Sequence, residues 1–182
     1  MSDPQSVLDF WFSDAAKPMW FAKSDAFDAE VRRRFQSLHE AAAAGELDAW
    51  KETAEGCLAL VILLDQVPRN IFRGSPRAYA TDEAARDLTW HVLDRGFDWE
   101  FPDIDRRLFF YLPLEHSEDL DDQETCVRLF EERTPDPEYI RYGRQHRDII
   151  ARFGRFPHRN VVLGRESTPE ELEFLKGPNS SF

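Results

Sequence analysis

The chain has 182 residues, of which 42% are hydrophobic and 13% aromatic, and this composition excludes an intrinsically disordered protein. Its formal net charge of -12 at pH 7 argues against a nucleic-acid-binding or membrane-surface protein, because both need a cationic face. We expect a single domain over residues 1–182 in a reducing cytoplasm, since the start of the chain does not resemble a secretory signal and its two cysteines are isolated.

Helix signals recur along the whole chain. In chain order, the predicted helices begin at Asp3-Pro4, Ser24-Asp25, Gly56, Ser75-Pro76, Pro102, Ser117, Pro137 and Thr168-Pro169. The run 56–67 is apolar on nearly every side, which predicts a buried helix that Pro68 stops. We expect the helix from Ser75 to continue to Gly96, and the aromatic-rich helix from Pro102 to be interrupted at Pro113.

Strand signals are almost absent, since the one candidate, Asn160–Leu163, is too short to matter. The pattern therefore predicts an all-α fold of eight or nine helices. Short connections favour antiparallel neighbours, as in helix bundles and helical-hairpin solenoids. No fixed repeat in the tetratricopeptide range is clear in the sequence.

The segment 63–70 places charge where the core is expected. The apolar stripe of the preceding helix leads to Asp65, whose carboxylate would be buried at the negative end of the helix dipole. It needs a cation, and Arg69 or Arg73 is the nearest in sequence. We interpret this pair either as part of a functional site, where local rules are often broken, or as a structural tie between a helix and its loop.

A second polar group follows Pro113. Asp119 and Gln123 share the core-facing stripe of the next predicted helix. His116 is a candidate general base or, together with Glu118 and Asp119, a candidate ligand for a divalent metal. The alternative is that Ser117 or Asp119 caps the next helix.

Two stretches, Gln66–Thr81 and Ile149–Arg165, contain arginines and no acidic residue. Concentrated guanidinium on an acidic protein suits two-pronged recognition of phosphate or carboxylate. The competing interpretation is that these arginines pair with carboxylates elsewhere in the fold and leave nothing for a ligand.

His146 lies on the apolar face of the helix predicted from Pro137. A histidine in such a place is more often a hydrogen-bonded core residue than a catalyst. It becomes a functional candidate if it meets His116 or Asp65 in space. No Walker loop, Rossmann fingerprint, nucleophile elbow or HExxH motif is present, which removes the commonest enzyme classes.

Three segments together resemble an uncharacterised family, the one catalogued as domain of unknown function 924. They are Leu63–Gly74, Leu112–Asp119 and Arg152–Asn160, and Phe10–Phe12 and Leu163–Glu171 add to the resemblance. The resemblance implies an all-helical, tetratricopeptide-like array of antiparallel helix pairs. It implies no activity, cofactor or catalytic residue.

We predict one polar pocket, built from the three motif segments, that binds a small anionic ligand. In this hypothesis His116 or His158, with Asp65, handles protons in hydrolysis or a related transfer. The predicted ligand-binding residues are Arg69, Asn70, Arg73, Asp119, Gln123, His146, Arg155, Arg159 and Asn160. We assign no metal ion and no cofactor, because the neighbouring arginines would repel a cation.

The rival hypothesis is an interaction scaffold. Stacked helix pairs would present a concave surface to an unknown protein partner, and the polar motifs would be internal struts.

Overall fold

A computed structural model describes residues 3–178, 180 and 181. Within this part of the chain it contains nine α-helices and no strand, which confirms the predicted all-α fold. The helices are α1 (Pro4–Trp11), α2 (Asp25–Ala43), α3 (Ala54–Val61), α4 (Val67–Ile71), α5 (Asp82–Arg95), α6 (Ile104–Glu115), α7 (Leu120–Arg133), α8 (Pro137–Phe153) and α9 (Pro169–Phe174). In the same residues, no helix is both long enough and apolar enough to cross a membrane.

Local capping explains where most helices begin. The side chain of the residue before the helix accepts a hydrogen bond from the first turn, which satisfies an otherwise unpaired backbone N–H. This holds at Asp3, Ser24, Thr53, Asp103, Asp119, Asp136 and Thr168. Gly154 ends α8 with a φ of 68°, a left-handed conformation that favours glycine.

The prediction that Pro68 stops the buried helix is wrong. Helix α3 passes through a π-helical turn, Ile62–Gln66, directly into α4, and Pro68 lies in the first turn of α4. The backbone N–H of Val67 bonds back to the Ile62 carbonyl, one residue further than in an α-helix. A proline at this point costs little, because the side chains of His39 and Thr81 satisfy the carbonyls that are left without a backbone donor.

Three other predicted boundaries are also wrong. The segment from Ser75 forms a 3-10 turn, Pro76–Tyr79, and only then α5, because Thr81 is held at the break by a hydrogen bond to the π turn. Helix α6 begins after Asp103, which caps it, and continues through Pro113 to Glu115. Helix α7 begins at Leu120, because Asp119 and not Ser117 caps it.

The core surrounds the helix that contains the π turn. Residues 56–68 are all buried, with α1, α2, α5 and α6 packed around them. Helix α6 packs on α7, and α7 packs closely on α8. At Gly143 a Cβ atom would lie 2.8 Å from the Phe130 ring, so the approach of α7 and α8 requires glycine there. This packing brings the ends of α4, α6 and α8 to one cavity.

Candidate functional site

A cavity of about 830 Å³ lies beside the π turn. Its volume falls within the range of roughly 300–1,000 Å³ that is usual for small-molecule sites. Residues from all three motif segments line it, and so do residues from the segment after α1 and from α8. The lining residues used below are Trp20, Phe21, Gln66, Arg69, Asn70, Arg73, Tyr79, Glu115, His116, Tyr139, Tyr142, His146, His158 and Arg159.

Two side chains from other elements stabilise the π turn by hydrogen bonds to its carbonyl groups. In this turn the Leu63 carbonyl loses its usual partner, and it accepts a hydrogen bond from Nδ1 of His39 at 2.8 Å. Pro68 cannot donate to the Leu64 carbonyl, and the hydroxyl of Thr81 donates to it instead. A π turn inserts one extra residue into an α-helix, and such π-bulges are frequent at functional sites. Here the turn carries Asp65 and Gln66.

Asp65 is completely buried. Its carboxylate accepts from the Gln66 amide at 2.6 Å, from Nδ1 of His116 at 2.8 and 3.0 Å, and lies 3.1 Å from Nη1 of Arg69. Burial alone would raise the pKa of Asp65, but the charge of Arg69 and the contact with His116 hold it well below its usual range. The arginine predicted as its partner is therefore found to be Arg69.

His116 is oriented as a neutral base. Burial lowers its pKa, and the charge of Arg69 lowers it further, against the opposing effect of Asp65. The hydrogen bond to Asp65 assigns the proton of the neutral ring to Nδ1, so Nε2 is the acceptor. Because His116 lines the cavity and no described residue bonds to Nε2, this atom is available to a ligand or to water.

Two arginines share one carboxylate at the cavity. Arg69 makes a bidentate contact with Asp82 at 2.8 and 3.0 Å. Arg159 makes a single, longer contact of 3.4 Å with the same carboxylate. Arg159 is 6% exposed, and its guanidinium lies 4.7 Å from the ring centre of Tyr79 and 4.5 Å from that of Phe156. Among the described residues, no group accepts from its Nε. Burial, together with the charge of Arg69, lowers the pKa of Arg159 to about 10.

The two other histidines of the cavity are neutral at pH 7. Nδ1 of His146 bonds to the Tyr142 carbonyl at 2.9 Å, and its ring centre lies 6.5 Å from that of His116. Burial lowers the pKa of His146 to about 3 and that of His158 to about 4. His146 therefore meets His116 in space, which is the condition that makes it a functional candidate.

Glu115 is a cavity residue that the sequence analysis did not select. It is 5% exposed, and burial together with the charge of Asp65 raises its pKa to about 8. The signal available in the sequence was a carboxyl group at the end of an apolar helix, next to His116. We call Glu115, His116, Arg69 and Arg159, with Asp65 and Asp82 behind them, the cavity wall.

Asn70 and Arg73 line the cavity but already have a partner. The Asn70 amide donates to Asp28 at 2.8 Å, and Arg73 donates to the same carboxylate at 2.9 and 3.0 Å. Asp119 and Gln123 lie outside the cavity. Asp119 caps α7, and the Gln123 amide donates to the carbonyls of Glu115 and Ser117 at the end of α6. Both therefore act on helix ends.

The remaining predicted residues, Arg155 and Asn160, also lie outside the cavity. They belong to a set that we call the C-terminal lattice, which consists of Glu118, Arg155, Asn160, Arg165 and Glu171. Arg155 makes a bidentate contact with Glu171 at 2.7 and 2.9 Å, and the Asn160 amide lies 3.2 Å from the same carboxylate. Arg165 makes a bidentate contact with Glu118 at 2.7 and 2.9 Å.

The described residues include no group of three or more His, Cys, Asp or Glu side chains arranged to hold a metal ion. His116 and Asp65 lie together, but Asp119 faces the first turn of α7.

Comparisons with known proteins place this architecture. The model of a family described as "Bacterial protein of unknown function (DUF924)" matches residues 7–179. The structure of ATU0120, a protein of unknown function from Agrobacterium tumefaciens, superimposes with a TM-score of 0.90 at 46% sequence identity, covering 96% of this chain and 97% of that one. A search among curated proteins finds no match.

Proposed function

Because the chain belongs to the DUF924 family of bacterial proteins of unknown function, we propose its function from the cavity wall itself: it binds a small organic anion, a carboxylate or a phosphate. The observation that carries this proposal is the state of Arg159. It is nearly buried, its Nε has no acceptor among the described residues, and its one carboxylate contact is long and shared with Arg69. An oxyanion in the cavity would add an acceptor for this guanidinium group.

The lining also suggests the rest of the ligand. Aromatic side chains of Trp20, Phe21, Tyr139 and Tyr142 face the same cavity as the arginines. Such a combination suits a ligand with an anionic group at one end and an apolar or aromatic body at the other.

The test measures binding of benzoate, phenyl phosphate and the neutral isostere benzamide by calorimetry and by thermal shift. We expect the two anions to raise the melting temperature through mass action and benzamide to have no effect. Arg159→Gln should weaken benzoate binding by about tenfold or more, since a charge-assisted contact of about 1.4 kcal/mol is lost.

Arg155→Gln is the matched control, because Arg155 is paired with Glu171 outside the cavity. Its benzoate affinity should stay within about twofold of the parent chain. Equal losses in both variants, or no anion binding to the parent chain, would overturn the proposed site.

A second candidate activity, hydrolysis of an anionic ester, is supported by the pair of His116 and Asp65. Nε2 of His116 would take a proton from water while the water oxygen bonds to the acyl carbon or phosphorus. The bond to the leaving oxygen then breaks with its electron pair, and that oxygen acquires a proton. The products are an acid and an alcohol.

This activity is tested with two anionic esters, para-nitrophenyl phosphate and mono(para-nitrophenyl) succinate. We expect His116→Gln to abolish turnover and to keep benzoate binding. His91→Gln is the control, because Nε2 of His91 lies 3.0 Å from the Lys51 carbonyl, outside the cavity lining. No turnover of either ester by the parent chain would count against hydrolysis and leave the binding proposal to its own test.

The interaction scaffold remains the rival proposal. It is supported by the C-terminal lattice, whose arginines are paired with carboxylates, as expected for polar residues with a purely structural role. A protein partner whose capture is unaffected by Arg159→Gln, with no anion binding, would favour the scaffold.

A further inference from the structure

The carboxyl group of Glu115 has an unusual position on the cavity wall. Glu115 is the last residue of α6, it lines the cavity, and its side chain is 7% exposed. Its Oε1 atom is fully buried and accepts no hydrogen bond from any described residue. A buried carboxylate without a donor is costly, whereas a neutral carboxylic acid is tolerated and can itself donate.

The groups around Glu115 do not supply a cationic partner. Nδ1 of His146 on α8 lies 3.5 Å from Oε1, but this nitrogen donates to the Tyr142 carbonyl. Asp65 on the π turn is negative, and Cys126 on α7 is a buried thiol whose pKa is raised. The other titratable residues that line the cavity are Lys23, Arg69, Arg73, Tyr79, His116, Glu138, Tyr139, Tyr142, His158 and Arg159. Of the arginines, Arg69 and Arg73 are already paired with carboxylates.

We propose that Glu115 is the proton-bearing donor of the cavity: its neutral carboxyl group donates a hydrogen bond to the bound anion, so that anion and proton are held together. This inference rests on the proposed anion site. It adds a donor that discriminates between ligands, because only a ligand with an acceptor oxygen at this point satisfies the carboxyl group.

The protonation of Glu115 agrees with this role. Burial, with the charge of Asp65, raises its pKa to about 8, so the group keeps its proton at pH 7. Above about pH 8 the ionised carboxylate would repel an anion instead of donating a hydrogen bond to it. Anion affinity should therefore fall about tenfold per pH unit once Glu115 has lost its proton.

The first measurement uses the ligand-free protein. Infrared spectra near pH 7 should contain the carbonyl band of a protonated carboxylic acid, which disappears as the pH is raised through about 8. Glu115→Gln, which has the same shape and no charge, should lack this band. Its presence at equal strength in Glu115→Gln would show that the proton belongs to another residue and would overturn the proposal.

The second measurement is the benzoate affinity between about pH 6 and about pH 9, a window in which benzoate itself does not titrate. We expect the affinity of the parent chain to fall above pH 8 and that of Glu115→Gln to stay flat. The control is Glu131→Gln, because Glu131 pairs with Arg144 outside the cavity. Its pH profile of benzoate affinity should match that of the parent chain.

The outcomes separate the two proposals. If benzoate binds the parent chain with a flat pH profile, the role of Glu115 is wrong and the anion site stands. If the profile falls equally in Glu115→Gln, another group carries the dependence and the role of Glu115 is again wrong. If benzoate does not bind at any pH, both proposals are overturned.

Discussion

The cavity wall and the C-terminal lattice contain the same kinds of side chain but differ in how completely these are paired. In the lattice, Glu118 and Glu171 each take a bidentate arginine, and each also accepts a backbone N–H. On the cavity wall, Asp82 is shared between Arg69 and Arg159. Carboxylates and guanidinium groups are thus fully used in pairs in one region and share partners in the other.

The comparison shows that the number of arginines in a segment does not identify a binding site. Arg155 and Arg159 are four residues apart in the same acid-free stretch. One is partly exposed and reaches the buried Glu171, and the other is buried between aromatic rings at the cavity. What separates them is the neighbour that each meets in three dimensions.

The largest expected loss of stability comes from a substitution that breaks the charge network of the cavity wall. Asp65→Asn leaves His116 and Arg69 without a buried carboxylate and should lower the free energy of unfolding by about 3 kcal/mol. Urea denaturation at pH 7 measures this loss. A loss below about 1 kcal/mol would show that Asp82 alone compensates Arg69.

A smaller effect concerns the support of the π turn. Thr81→Val removes the donor to the buried Leu64 carbonyl and should cost about 2 kcal/mol. It should also weaken benzoate binding, because the π turn carries Asp65. Thr134→Val is the control, since its hydroxyl makes only a 3.4 Å contact within its own helix end. Equal losses in both variants would contradict the special role of Thr81.

As the pH falls, the cavity and the C-terminal lattice should lose folding stability in different pH ranges. Burial holds the pKa of His158 at about 4 in the folded protein, so the unfolded chain binds the extra proton and stability falls as the pH drops below about 6.5. Arg155 lowers the pKa of Glu171 to about 2, so the contribution of this carboxylate is lost only below about pH 4.5.

These pH ranges are measured by denaturation of the parent chain, His158→Gln and Glu171→Gln at a series of pH values. The stability difference between His158→Gln and the parent chain should change between about pH 6.5 and about pH 4, by at most about 1.4 kcal/mol per pH unit. For Glu171→Gln the difference should change only below about pH 4.5. The same pH range for both variants would remove the distinction between the regions.

The smallest expected effect lies in the C-terminal lattice. Glu118→Gln removes the charge that faces Arg165 but keeps an acceptor for the Phe156 N–H. We expect a loss of about 1 kcal/mol, because both side chains are about a quarter exposed and Arg165 can be hydrated. A loss as large as that of Asp65→Asn would show that the lattice is not the more tolerant region.

Local chemistry accounts for the predictions that are confirmed. The all-α fold follows from apolar periodicity and from caps such as Asp3, Ser24 and Thr168, which act within a few residues of the helix they begin. The resemblance to the DUF924 family, found in short motifs, is confirmed by a match over residues 7–179. The tetratricopeptide-like arrangement stays a prediction.

The wrong predictions at Pro68 and at the helix from Ser75 share one cause, a partner that is distant in sequence. Proline normally stops a helix, but Thr81 and His39 satisfy the carbonyls around the π turn, and the chain continues past Pro68. Helix α6 also continues past Pro113, and the Thr89 hydroxyl donates to the Phe110 carbonyl inside it. No window of neighbouring residues contains these donors.

By itself, the sequence determined that the chain is helical, where most helices begin, and which segments are rich in arginine and histidine, because caps and periodicity act over a few residues. Only the tertiary structure decided which charges are paired. Asp65 meets His116 across 51 positions and Arg159 meets Asp82 across 77. Electrostatic pairing depends on distance in space and on the exclusion of water, and both are set by how the helices pack.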